Sequence, residues 1–203
     1  MKEKKETSRH LKGKATKKKI FAVAKELILA EGYNNVTVDE ICEKCEISKG
    51  TFYIYNKSKE DIVRKLYRDD MSEYMDEHFG KYMRENLDDS PVIKLKTFMM
   101  VALGFPLIVG AELTKLTFVI NLSQKSTEPS FFSDCIEQEL LFEAIEEGRS
   151  RSLFRNDLSV EEIVNYVYSF LTGAFITWCL SDSDYDIGRA SEKFVDSLIK
   201  GLQ

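Results

Sequence analysis

Between Thr37 and Lys59 lies a concentration of side chains able to bind phosphate and base edges: Thr37, Ser48, Lys49, Thr51, Tyr53, Tyr55 and Lys59, with Gly50 among them. Hydroxyls at helix starts, next to unpaired backbone N–H groups, suit phosphates. Lys49 and Thr51 stand at the start of a short helix, where side chains can reach a groove. Gly50, lacking a side chain, lets a backbone approach a duplex closely. Lys59 adds a charge and helix-start N–H donors.

Other constellations carry less. Cys42-x-x-Cys45 has zinc or redox spacing, but a zinc site needs four ligands and no second pair exists. Only His10 and His78 could add imidazole. Core packing is the simpler reading of the thiols, because a free Cys behaves as a small hydrophobe. His78 sits on or near an apolar stripe, as a core histidine would. No P-loop, G-x-S-x-G or G-x-G-x-x-G is present, so the expectation is not an enzyme, with neither metal nor cofactor. The acid pairs Asp88-Asp89, Glu146-Glu147 and Glu161-Glu162 read as solvated helix ends.

The elements that position these residues can be read from caps and periodicity. Ile20, Val23, Ala24, Leu27 and Ile28 give one face of a helix over 16–31, ended by Gly32. Thr37 with Glu40 forms a capping box for a helix over 38–45. Ser48 caps a third helix over 49–55, with Phe52 inward. Two short helices joined by a tight turn have helix-turn-helix spacing, in which the second helix enters the DNA major groove. Ser58 with Asp61 is a further box of the [ST]-x-x-[DE] type, opening a long helix from 59 to about 83.

Beyond it the pattern stays helical. Ser90-Pro91 starts a helix to about Leu103, and Gly104 to Gly110 breaks the pattern. Helices follow over about 111–122, 131–149, 159–180 (capped by Ser159 with Glu162) and 187–201. No strand-like alternation appears, so the fold class is all-α.

Net charge is −5 over 203 residues, but unevenly spread. Residues 1–65 hold 16 Lys/Arg against 10 Asp/Glu, and the remainder hold 13 against 24. A basic N-terminal third on an acidic body fits a DNA-binding domain joined to something else. Residues 1–15 form a basic N-terminal arm, either following DNA or simply solvated. The basic N-terminus leads into no apolar run, and the uncharged run 98–111 is too short to span a bilayer. A cytoplasmic protein without membrane contact is expected.

From Ile20 to Gly32-Tyr33, through Thr37, Ser48-Lys49-Gly50-Thr51 and Tyr53 to Ser58-Lys59-Glu60, the chain resembles the N-terminal domain of the TetR family of bacterial transcription regulators. The resemblance covers about residues 16–65. It implies a three-helix helix-turn-helix domain over 16–65, then a helical-bundle ligand-binding and dimerisation domain over 66–203. Tyr53 and Tyr55 resemble the family's phosphate-binding pair. The positions of Cys42 and Cys45 are usually alanine in the family. Glu46 stands where the turn usually has Gly, and Asn56 where Phe is usual.

The resemblance further implies a homodimer, with 131–149 and 159–180 at its interface. The expected function is a repressor on a pseudo-palindromic double-stranded DNA operator, controlled by a small apolar or aromatic effector. Met99, Leu103, Phe118, Phe170 and Trp178 are candidates for the pocket lining, with core packing as the alternative. Two other readings stay open: a redox or metal sensor using the cysteines, and an interaction protein that does not bind DNA.

Overall fold

The structure is a computed structural model describing residues 8–123, 136–181 and 185–203. Among these residues there are ten α-helices, one π-turn and no strand. They form two compact units, residues 1–66 and 67–203.

The first unit contains α1 (Ser8–Glu31), α2 (Val38–Cys45), α3 (Lys49–Tyr55) and the start of α4 (Lys59–Met75). Its core is Ile20, Ala24, Leu27, Ile28, Val36, Ile41, Cys45, Phe52, Ile62 and Val63, all buried. Gly32 ends α1 at φ 81°, its N–H donating to the Ile28 carbonyl. The helix starts at Ser8, so residues 8–15 of the expected arm are helical. No proline interrupts this stretch, and its Lys, Ala and Leu residues favour helix. Gly13 is accommodated beside the Tyr55 hydroxyl, which a Cβ there would approach to 3.4 Å.

The second unit begins within α4, which runs into a π-turn (Asp76–Gly80) and then α5 (Lys81–Glu85). The Lys81 N–H reaches back five residues to the Asp76 carbonyl. His78 faces solvent rather than the core expected of it: its ring stacks on Tyr74 at 4.2 Å, and its Nδ1 lies 2.8 Å from the Tyr74 carbonyl oxygen. The extra residue of the π-turn places Phe79, not His78, inside.

Helix α6 (Pro91–Val109) forms the centre of the second unit, packed against α8 (Ile136–Ser150), α9 (Val160–Leu180) and α10 (Ile187–Leu202). Helix α7 (Ala111–Ser123) packs on α6 and α9. Ser90 caps α6, with Pro91 in the first turn as expected. The expected break at Gly104 does not occur; α6 continues through Gly104 and Pro106 to Gly110. Burial explains this. An internal proline costs about 3 kcal/mol, whereas each of Phe98, Met99, Leu103 and Phe105, all buried here, contributes roughly 1.5–3 kcal/mol. Gly104 is required by a close approach, since a Cβ there would fall 2.6 Å from the Tyr74 hydroxyl. At 19 residues α6, like the 21-residue α9, is long and apolar enough to cross a bilayer. In this fold their neighbouring helices cover much of that surface. The expected start of α8 at Phe131, and Cys135, lie outside the described residues.

Candidate nucleic-acid interface

Helix α2 begins at a complete capping box. The Glu40 N–H donates to Thr37 Oγ1 at 3.2 Å, and the Thr37 N–H donates to Glu40 Oε2 at 2.7 Å. These bonds from Thr37, the backbone one foremost, hold the Glu40 carboxyl below its ordinary range.

The turn explains the odd residue there. Glu46 adopts φ 55° and ψ 42°, a left-handed conformation. Its N–H donates to the Glu43 carbonyl at 3.0 Å, and the Ile47 N–H donates to the Cys42 carbonyl at 3.0 Å. That pair of bonds is a Schellman motif, whose left-handed position normally takes glycine. A β-carbon there costs about 1–2 kcal/mol. The Lys19 ammonium lies 3.3 Å from the Glu46 carboxylate, but both side chains are exposed and such a pair recovers little.

Helix α3 follows with Ser48 as its cap, accepting from the Thr51 N–H at 3.1 Å. The Ser48 and Thr51 hydroxyl oxygens are also 3.0 Å apart. Phe52 is fully buried and sets the helix's rotation, which leaves Lys49, Gly50, Tyr53 and Ile54 facing out. Tyr53 meets the Phe52 ring edge-on at 5.3 Å while staying 54% exposed. Its phenol is therefore fixed at the base and free at the tip.

The two basic residues differ. Lys49 is exposed and ion-paired with Asp39 of α2 at 2.7 Å, a contact that raises its pKa. Lys59 is turned inward. Its ammonium donates to the carbonyls of Tyr33 at 2.6 Å and Val36 at 2.7 Å, and lies 4.0 Å from the centre of the Tyr33 ring. Tyr33 in turn donates to Glu60 at 2.7 Å. Lys59 thus fastens the loop before α2 to the start of α4.

Of the sequence-derived candidates, Thr37, Ser48, Lys49, Gly50, Thr51 and Tyr53 all lie on α2 and α3 or their caps. Tyr55 is half-buried, its hydroxyl against α1. Three residues were not anticipated: Asp39, the exposed Ile54, and Lys65, whose ammonium reaches the Tyr55 carbonyl at 2.7 Å. Ile54 was visible as an apolar residue one position past Tyr53; the other two depend on contacts between helices.

Asp61 differs from the expected box. Its N–H donates to Ser58 Oγ at 3.2 Å, but its carboxylate accepts from the Lys57 N–H at 2.8 Å and from Lys65. Asn56 is 1% exposed, and its side-chain amide has no hydrogen-bond partner in the structure. Cys42 and Cys45 are buried, and burial pushes both thiols above their ordinary pKa. That is the opposite of what a reactive thiolate needs. Cys179 behaves alike.

In the second unit Met99, Leu103, Phe118 and Trp178 are buried and Phe170 is half-buried. Two clefts open nearby. One, of about 500 Å³, is lined by Tyr74, Val92, Ile93, Lys96, Thr97, Met100 and Val101. The other, of about 450 Å³, runs past the π-turn and α8 and includes Arg84, Lys94, Glu143 and Glu147. None of the five candidate lining residues borders either cleft. In the second, Lys94 is 7% exposed and donates to the Leu87 carbonyl at 3.0 Å and to Glu147 at 3.3 Å.

Residues 20–66 match the family model described as "Bacterial regulatory proteins, tetR family". The chain is 23% identical over 186 residues to the fatty acid metabolism regulator protein of Bacillus subtilis, covering 90% of this chain and 93% of that one. It resembles the crystal structure of Thermus thermophilus FadR, a TetR-family repressor in complex with lauroyl-CoA, with a TM-score of 0.72 at 21% identity, covering 92% and 95% of the two chains. Bacillus subtilis FadR in complex with stearoyl-CoA gives a TM-score of 0.65 at 21% identity, covering 92% and 99%. With a capped helix-turn-helix, an all-α second unit and these relatives, the chain belongs to the TetR family of bacterial regulators, which bind operator DNA as dimers under small-molecule control.

Proposed function

We propose that this protein is a repressor whose hold on its operator is released by a long-chain acyl-CoA. The observation that carries the reading is the length of the match: similarity to a fatty acid metabolism regulator covers 90% of this chain, well past the helix-turn-helix. The apolar cleft along α6 offers Val92, Ile93, Met100 and Val101 to an acyl chain, with Lys96 at its edge for an anionic group. Met99, Leu103, Phe118, Phe170 and Trp178 form the apolar interior beside it that a long chain would have to part.

On DNA, Thr37, Ser48 and Tyr53 take phosphates, while Lys49 and Thr51 face the groove over Gly50. Tyr55 supports the second phosphate contact. Lys59, its ammonium occupied, acts through its backbone N–H. The basic segment 1–15, the DNA-binding domain 16–65 and the effector and dimerisation domain 66–203 divide the work. The dimer uses the outward stripe of α9, Tyr166, Phe170, Gly173, Thr177 and Leu180, together with α8. The two recognition helices then fall about 34–36 Å apart, matching a pseudo-palindrome. Such a regulator works in the cytoplasm.

Release is a matter of linkage: a 100-fold loss of operator affinity requires about 2.7 kcal/mol of preference for the unbound form. The test is fluorescence anisotropy on the DNA upstream of the protein's own gene. Micromolar palmitoyl-CoA should release the duplex, and palmitate or CoA alone should not. Equal release by palmitate, or none by any acyl-CoA from C12 to C18, would overturn the effector assignment.

A further inference from the structure

The exit of the recognition helix is held by a closed circuit of charged hydrogen bonds. The Lys65 ammonium donates to the Tyr55 carbonyl, at the C-terminal end of α3, at 2.7 Å. It also donates to Asp61 Oδ2 at 2.8 Å, one helical turn back on α4. The same Asp61 oxygen accepts from the Lys57 N–H at 2.8 Å, in the segment leaving α3. A cation at a helix C-terminus complements the helix dipole, and hydrogen bonds to charged groups are roughly twice as strong as neutral ones. Burial lets the circuit hold position: the Lys65 side chain is 25% exposed and that of Asp61 12%.

With seven residues, α3 forms few internal hydrogen bonds of its own. Its rotation is set by Phe52, but Phe52 alone leaves the far end free to tilt. Lys65 and Asp61 supply the second fixed point, and both belong to α4. At its other side, α4 is tied to the loop before α2 by Lys59 and Glu60. The helix-turn-helix is thus gripped at both ends by the first two turns of α4.

We propose that Lys65 is a positioning residue for operator recognition: without touching DNA, it fixes the tilt of α3 and thereby discrimination between operator and other DNA. Because α4 continues to Met75, Lys65 is also where a displacement of α4 reaches the recognition helix. The proposal rests on α3 being the helix that reads the operator.

The experiment uses the full-length protein, a duplex selected by the wild type from a random pool, and poly(dI-dC) as non-specific DNA. Affinities are measured from 50 to 300 mM salt. Lys65→Met keeps the apolar stem and removes the ammonium. It should lower operator affinity about tenfold, the scale of one lost base contact, while leaving non-specific affinity and salt slope unchanged. Lys65→Arg should restore discrimination. Asp61→Asn keeps an acceptor for Lys57 but loosens the ammonium, and should fall between.

A phosphate contact would instead weaken both duplexes together and lower the salt slope by about 1. That result overturns the proposal, as does unaltered discrimination in folded Lys65→Met. If Lys65→Met does not fold, wild-type discrimination in Asp61→Asn overturns it equally. A wild type that selects no sequence would instead be a failure of the α3 assignment.

Discussion

The ammonium of Lys49, the first residue of α3, lies 2.7 Å from the carboxylate of Asp39 in the first turn of α2, with both side chains more than 60% exposed. The pair places a negative charge on the surface meant for DNA and occupies a cation that could neutralise a phosphate. Asp39→Ala should therefore tighten non-specific DNA binding by about two- to fivefold at low salt, with the gain fading as salt rises. Lys49→Ala should weaken it and lower the salt slope by about 1. Anisotropy titrations across a salt series read both effects; weaker non-specific binding in Asp39→Ala would mean that Asp39 orients Lys49 rather than competing for it.

Glu46→Gly should raise stability. The left-handed geometry at Glu46 penalises any β-carbon, while glycine adds freedom to the unfolded chain. The balance favours glycine by roughly 0.5–1 kcal/mol. Thermal unfolding followed by circular dichroism should show a rise of a few degrees, and a fall would credit the Lys19 contact with more than an exposed pair usually gives.

Gly148→Ala should do the reverse in the second unit. A Cβ there would overlap the edge of the Phe154 ring and come within 3.1 Å of Pro91 Cβ. Phe154 is 1% exposed and its N–H is bonded to the Gly148 carbonyl, so the ring has little room to yield. A loss of about 1–3 kcal/mol follows, measurable as a lower urea midpoint. An unchanged midpoint would show that the 151–155 turn can shift.

Asp61 should make the protein acid-sensitive. Burial pulls its pKa upward, but the hydrogen bonds from Lys65 and the Lys57 N–H, with the charges of Lys65 and Arg64, outweigh this and leave it lowered. A carboxyl depressed in the folded state stabilises above its unfolded pKa, and that stability is lost as pH falls through the folded value. Wild type should lose its advantage over Asp61→Asn below about pH 4 and keep it at pH 6. A difference independent of pH would assign the effect to packing.

Local signals were legible in the sequence because they act within one turn. Thr37, Ser48, Ser90 and Ser159 cap the helices they were expected to cap. Signals that depend on distant partners were not. Gly104 and Pro106 read as a break, yet burial against three other helices carries α6 through both. Lys59 read as a free cation at a helix start; its acceptors are 23 and 26 residues away. Asp39 and Lys65 were overlooked for the same reason, since each acts through a partner on another helix. The pocket candidates were chosen for apolar bulk, a criterion that identifies interior residues without separating those that border an opening.

The π-turn at Asp76–Gly80 amounts to one residue more than an α-helix would spend on the same path. Removing a single residue there would let α4 and α5 merge into one regular helix, at the cost of turning everything after it by about 100°. Arg84, now 2.9 Å from Asp76, would swing away from it, and Tyr82 would leave Asp89, to which it donates a hydrogen bond. A one-residue length change at this point is therefore a rotation of one half of a helix against the other, and relatives with and without it would present different side chains to the same two clefts.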